Sequence, residues 1–325
     1  MQLEFDNPVV NIKKLNFAYE KGGENIVNLN CVIPKNAKVI LVGANGAGKS
    51  TFLRILTGKI FLNLDSEIFD INGNSIPNDQ HNGVAYLGGE WNRRRNGFEG
   101  ICPYTMDIAV KDMMQKWQEE YIERRDELVR VLGINLNWRM HECSDGQRKK
   151  VRIMIKLLRP FQLCVIDEFA ADLDIFSRQR FFDYLSKECE ERSASVIYCT
   201  HIFDQVDSWA SHITFMQLNK TLSPVYYLPT YKPYQEILAR TGTKRSFCPM
   251  YTLVLEELEN QYRNTQLFDN NPNKNVIDSV SNLQVNEQAY HHNETLRYQG
   301  QHGWVDGRLA RKLAIESMEE QKKSM

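Results

Sequence analysis

Gly43-Ala44-Asn45-Gly46-Ala47-Gly48-Lys49-Ser50-Thr51 constrains the fold more tightly than any other stretch of this chain. The apolar run Lys38-Val39-Ile40-Leu41-Val42 precedes it, and Phe52-Leu53-Arg54-Ile55-Leu56, with helical spacing, follows. Strand, glycine-rich loop and helix start form the context in which G-x-x-x-x-G-K-[ST] makes physical sense. The glycines let backbone N–H groups turn inward on an anion, and the helix N-terminus adds the positive end of its dipole. Lys49 is then expected to reach the β and γ phosphates and the Ser50 hydroxyl to ligate Mg²⁺. A glycine-rich turn that merely precedes a lysine does not require a strand and a helix in register on either side. The chain is expected to bind a nucleoside triphosphate.

A second constellation lies downstream. Leu163-Cys164-Val165-Ile166 is an apolar strand ending in two carboxylates, Asp167 and Glu168. Alone it reads equally well as a buried strand with a polar end. With a phosphate loop upstream, Asp167 suits Mg²⁺ and Glu168 suits the proton of an attacking water. Adjacent carboxylates repel unless a cation or proton intervenes, so a metal helps to explain the pair. About twenty residues earlier, Cys143-Ser144-Asp145-Gly146-Gln147 opens a helix whose apolar stripe is Val151, Met154, Ile155 and Leu158. Ser144 and Gln147 stand three apart, the spacing of a capping box.

The order of these elements resembles the ATP-binding-cassette (ABC) family, whose signature L-S-G-G-Q matches Cys143 to Gln147 at three of five positions. The resemblance covers about residues 7 to 220 and implies an ATPase with ATP and Mg²⁺ as cofactors. It implies that Ser144, Gly146 and Gln147 close over the γ-phosphate held by a second subunit, applying helix N-terminus chemistry in trans. Asp167 to Asp174 looks like the family's D-E-P-T-S-A-L-D, which makes Asp174 the D-loop aspartate at a dimer seam. His201, after the strand ending Cys199-Thr200, resembles the switch histidine that contacts the γ-phosphate. Tyr19 lies where the family keeps an aromatic that stacks on adenine. The implied site set is therefore Glu168 and His201 for catalysis and Ser50 and Asp167 for metal. Nucleotide contacts fall to Tyr19, Gly43, Asn45 to Thr51, Ser144, Gly146, Gln147 and Asp174.

Two departures narrow the resemblance. The family's glutamine after the strand at Tyr86-Leu87 is missing from Gly88-Gly89-Glu90-Trp91, and Asp145 replaces a signature glycine. Glu90 offers a carboxylate that could approach the expected metal in place of the glutamine, whose loss puts ordinary transport coupling in doubt. Tyr86 to Trp91, Trp138-Arg139-Met140-His141 and Thr200 to Asp204 are similar to soluble, stand-alone eukaryotic ABC ATPases. The fungal member of that group is associated with the CCR–NOT transcription and mRNA-decay complex. This implies a regulatory ATPase; the alternative is the detachable ATPase subunit of a transporter with a separate permease.

The organisation fits one α/β P-loop domain over residues 1–228, with N-terminal antiparallel strands and a charged helical subdomain at about 91–160. Residues 229–325 read as a C-terminal extension with an Asn/Gln-rich, flexible stretch. One phosphate loop and one signature per chain predict a head-to-tail homodimer with two ATP molecules at its seam. Seven scattered cysteines without a C-x-x-C pair suit reduced thiols. A net charge of −1 provides no overall field for nucleic acid or anionic membranes. Arg93-Arg94-Arg95 reads as a solvated loop before it reads as an RNA contact, and His291, His292 and His302 form no metal pattern. With neither a secretion signal nor a membrane span, the expected location is cytoplasmic, with the nucleus also open.

Overall fold

The computed structural model describes residues 7–19, 24–60, 64–73, 83–88, 107–169, 173–203, 205–241 and 248–264. All belong to one compact unit, Met1–Thr265; a second unit, Gln266–Met325, lies outside the described residues. Glu90, Arg93 to Arg95, the C-terminal histidines and all but the first five residues of the Asn/Gln-rich stretch expected at Asn260 to Asn293 therefore fall outside as well. Asn260 to Asn264, expected to be flexible, instead close the helix Pro249–Asn264.

Strands β1 (Val10–Ala18) and β2 (Glu24–Ile33) form an antiparallel pair. Short strands β4 (Leu64–Asp65) and β5 (Ile68–Ile71) pair with opposite ends of β1. The second sheet contains β3 (Lys38–Gly43), β6 (Val84–Gly88), β7 (Leu163–Asp167), β8 (Ser195–Cys199), β9 (His212–Met216) and β10 (Tyr226–Tyr227). Its order is β10-β9-β3-β8-β7-β6, parallel throughout except for the edge strand β10. The continuous apolar runs in β3, β7 and β8 follow from burial on both faces of a parallel sheet.

Alternation divides the core into two layers. Val39, Leu41, Val165 and Ile197 face β1, β2 and helix α1 (Lys49–Leu56). Ile40, Val42, Ile166 and Tyr198 face the opposite layer. That layer is built from α3 (Ile122–Leu132), α4 (Asp145–Leu157) and α5 (Ile175–Arg192). A 3-10 turn at Val110–Asp112 and the short helix α2 (Gln115–Glu120) precede α3. Helix α6 (Val206–Trp209) precedes β9. The last helices, α7 (Lys232–Thr241) and α8 (Pro249–Asn264), pack Ile237, Met250, Leu253 and Val254 into the same helical layer. Among the described residues, no helix is long and apolar enough to cross a membrane.

Candidate active site

The phosphate loop joins β3 to α1 in a shape that its glycines make possible. Gly48 caps α1 with φ +108°, where a Cβ would lie 2.8 Å from the Asn25 carbonyl oxygen. At Gly43 a Cβ would meet the Met216 oxygen at 2.5 Å. The loop is therefore seated directly on β2 and β9. The first turn of α1 carries no acidic residue, which leaves its N–H groups and dipole open to an anion. Lys49 is buried, and its Nζ donates to the carbonyls of Gly43 (2.7 Å) and Ala44 (3.0 Å). Asn45 and Gly46 are exposed at the tip, Ala47 is buried beneath them, and Thr51 is half-buried in α1.

Beside the loop, the ends of β7 and β8 bring the acidic residues together. The Asp167 carboxyl accepts a hydrogen bond from the Ser50 side chain. Burial raises its pKa, opposed by that bond and by the Arg54 and Lys49 charges, while neighbouring Glu168 raises it further. A carboxylate disfavoured by desolvation, next to a hydroxyl, is the donor set Mg²⁺ takes from a protein when phosphate and water oxygens complete its shell.

Glu168 follows with φ +54°, unusual for a residue with a side chain, and its N–H donates to the Cys199 carbonyl at 2.9 Å. Its carboxyl lies 3.1 Å from His201 Nε2. Burial and the Lys49 charge lower the His201 pKa, against the raising effect of Glu168 and Asp167. A neutral imidazole here can donate to one oxygen and accept from another.

The signature-like residues form a separate group at the start of α4. Ser144 Oγ accepts from Gln147 N (3.3 Å) and Gln147 Oε1 accepts from Ser144 N (2.8 Å), completing the capping box read from spacing. Gly146 lies half-buried in that first turn. Asp145 pairs with Arg148 at 3.2 Å, which offsets the charge that replaces glycine. Asp174 caps α5, accepting from Ser177 N (2.8 Å) and Ser177 Oγ (2.7 Å), and contacts Lys150 of α4 at 3.1 Å. These bonds hold its carboxyl well below the ordinary range. Tyr19 is 41 % exposed at the end of β1, edge-on to Phe17 at 4.8 Å between ring centroids.

Three participants were missed from sequence. Lys220, in the turn after β9, donates from Nζ to the Gly46 carbonyl, and its own carbonyl accepts from Val27 N at 3.1 Å. It thus links the loop tip to β2, with no local signal, because the partners are 174 positions apart. Arg152 and Phe169 form the other contact, a guanidinium 4.7 Å from a ring centroid. The available signal was a charge set between Val151 and Ile153, both fully buried.

Comparison with known proteins gives one consistent result. Residues 26–171 match the family model described as ABC transporter. ABC transporter I family member 20 of Arabidopsis thaliana is 38% identical over 227 residues, covering 66% of this chain and 68% of that protein. CCR4-associated factor 16 of Saccharomyces cerevisiae is 31% identical over 293 residues, covering 84% and 91%. A solved ATP-binding cassette, in a dimeric post-hydrolysis state with ADP and phosphate, shares the fold at a TM-score of 0.54. It is 18% identical, with 68% of this chain and 100% of that chain covered.

Proposed function

The chain belongs to the ATP-binding-cassette family of ATPases, and from that premise we propose that it works as a nucleotide-driven dimerisation switch on a regulatory complex. One observation carries the catalytic part of this reading. Ser50, Asp167, Glu168 and His201 gather from α1 and the ends of β7 and β8, with Asp167 bonded to the phosphate-loop serine and Glu168 paired to the histidine. In this reading the loop N–H groups and Lys49 bind the β and γ phosphates, and Tyr19 stacks on the adenine. Ser50 and Asp167 hold Mg²⁺, which neutralises charge on the phosphate oxygens when bound. Glu168 accepts the proton of the attacking water, and His201 keeps that carboxylate oriented toward the γ-phosphate.

Two copies are needed because one chain carries one phosphate loop and one signature. Ser144, Gly146 and Gln147 of one copy would meet the nucleotide of the other, with Asp174 at the seam. ATP favours the closed pair and hydrolysis releases it, a ligand-biased two-state equilibrium. The likeness to CCR4-associated factor 16 along most of both chains supports a client of the transcription and mRNA-decay type.

The test is capture of partners by Glu168→Gln protein with ATP and Mg²⁺ from a detergent-solubilised lysate, with Lys49→Ala as the control. Glu168→Gln should keep ATP binding while turnover falls about 10²–10⁴-fold. Enrichment of soluble transcription or mRNA-decay subunits is the expected result. Enrichment of a polytopic membrane protein would overturn it and make the chain a transporter motor.

A further inference from the structure

We propose that Arg152 is a positioning residue that ties the signature-bearing helix α4 to Glu168 through the ring of Phe169. The inference rests on the reading of Glu168 as the base, and it concerns what holds that carboxylate in place.

Glu168 sits in the left-handed region, and a residue with a side chain stays there only when its surroundings over-determine it. From one side the constraint is its N–H bond to Cys199. From the other it is Phe169, the next residue, which is only 5% exposed. Above that ring lies the Arg152 guanidinium, 4.7 Å from the centroid, and one of its arms donates to the Gly88 carbonyl at 2.6 Å. Gly88 pairs with Asp167 in the β6–β7 ladder. A single side chain thus touches both the ring that follows the acidic pair and the strand residue that pairs with Asp167.

The charge is itself informative. Arg152 is 7% exposed, and Val151 and Ile153 beside it are fully buried. An aliphatic side chain would fill that space without the desolvation cost of a guanidinium. Only a planar, forked cation both stacks on a ring and reaches a carbonyl beyond it. Helix α4 begins at the Ser144 cap, eight residues upstream of Arg152. Along a helix that is about 12 Å. Displacement of the cap by a second copy's nucleotide therefore moves the group that presses on Phe169, and the two composite sites of a dimer are mechanically connected.

The experiment measures steady-state ATPase and ATP binding of the full chain. The variants are Arg152→Met, Arg152→Lys and Phe169→Leu, each in the natural background and with Glu168→Gln. Arg152→Met and Phe169→Leu should lower kcat about tenfold or more, the effect of a displaced reacting group, while KM and ATP affinity stay within about twofold. Lysine should restore part of kcat, since it can donate to Gly88 but presents no plane to the ring. In the Glu168→Gln background neither variant should lower turnover further, because their effect passes through the missing carboxylate. A loss that adds to that of Glu168→Gln overturns the link, as does full kcat in Arg152→Met. Should Arg152→Met fail to fold, Phe169→Leu removes the same stack while Gly88 keeps its donor, and full kcat there is equally decisive. Full turnover in Glu168→Gln alone overturns both the base and the link; slow turnover there with full kcat in Phe169→Leu overturns the link only.

Discussion

Replacing Arg124 with methionine will destabilise the fold by about 3 kcal/mol, near the low end for unpairing a buried charge. Arg124 projects from α3, and its Nη1 meets Glu188 Oε1 of α5 at 2.7 Å, with side chains 4% and 2% exposed. Its Nε donates to the Leu157 carbonyl at the end of α4 at 2.7 Å. Methionine keeps much of the contact with Phe161 and Tyr184 but leaves the Glu188 carboxylate and the Leu157 carbonyl without this donor. Arg192 Nε, 3.4 Å from the same Glu188 oxygen, offsets part of the loss, which places the figure at the low end. Urea denaturation followed by tryptophan fluorescence should show a lower midpoint with an unchanged slope. The melting temperature should fall by about 6–12 °C for a unit of this size. The double variant Arg124→Met/Glu188→Met should recover most of the loss, since an apolar pair replaces a buried ion pair at little cost. A single-variant loss below about 1 kcal/mol, or no recovery in the double, refutes the reasoning.

Three further outcomes follow from local geometry. Lys49→Ala removes a buried ammonium from the phosphate loop, and calorimetry should show ATP affinity about 10–100-fold weaker, the worth of a charge-assisted hydrogen bond; unchanged affinity would remove Lys49 from the site. Ser144→Ala breaks half of the capping box and should cost about 1 kcal/mol, read as faster amide exchange in the first turn of α4; equal protection would mean that the cap contributes nothing. Burial lowers His212 from 6.5 to about 4, so between those values the unfolded chain binds the extra proton. Stability should therefore drop as pH falls across that window, and His212→Phe should flatten the dependence; parallel curves for the two proteins would contradict it.

Local patterns were legible in the sequence, and contacts between distant residues were not. The phosphate loop lies between β3 and α1 because its strand, its glycines and its helix are contiguous. The Ser144–Gln147 box was readable because helix spacing alone brings the two together. Within the charged helical subdomain expected at about 91–160, Met113, Trp117, Tyr121, Leu128 and Leu132 supply apolar positions among many Glu and Arg. Met113, Leu128 and Leu132 are indeed buried, but so are Gln118 and Arg124. Gln118 bonds the carbonyls of Val110 and Met113, and Arg124 meets Glu188, 64 positions away. Arg124 depends on a partner supplied by a distant helix, and Gln118 on backbone carbonyls of the preceding turn that leave no mark on composition. In α4 the same limit hid Arg152, where a stripe of four apolar residues proved to be a continuous buried run from Val151 to Ile155.

The placing of β3 between β8 and β9 has a consequence for synthesis. Ala37 N donates to Ser195 Oγ across 158 positions, and β3 takes all its ladder partners from beyond that point. At ribosomal rates of about 5–20 residues per second, β3 waits roughly 8–30 s for its first neighbour. Throughout that interval Val39, Ile40, Leu41 and Val42 lack the strands that will cover their edges, an arrangement prone to self-association. A product truncated before Ser195 carries the whole phosphate-loop sequence on a strand with neither of its ladder partners, the kind of open apolar edge that pairs with other chains.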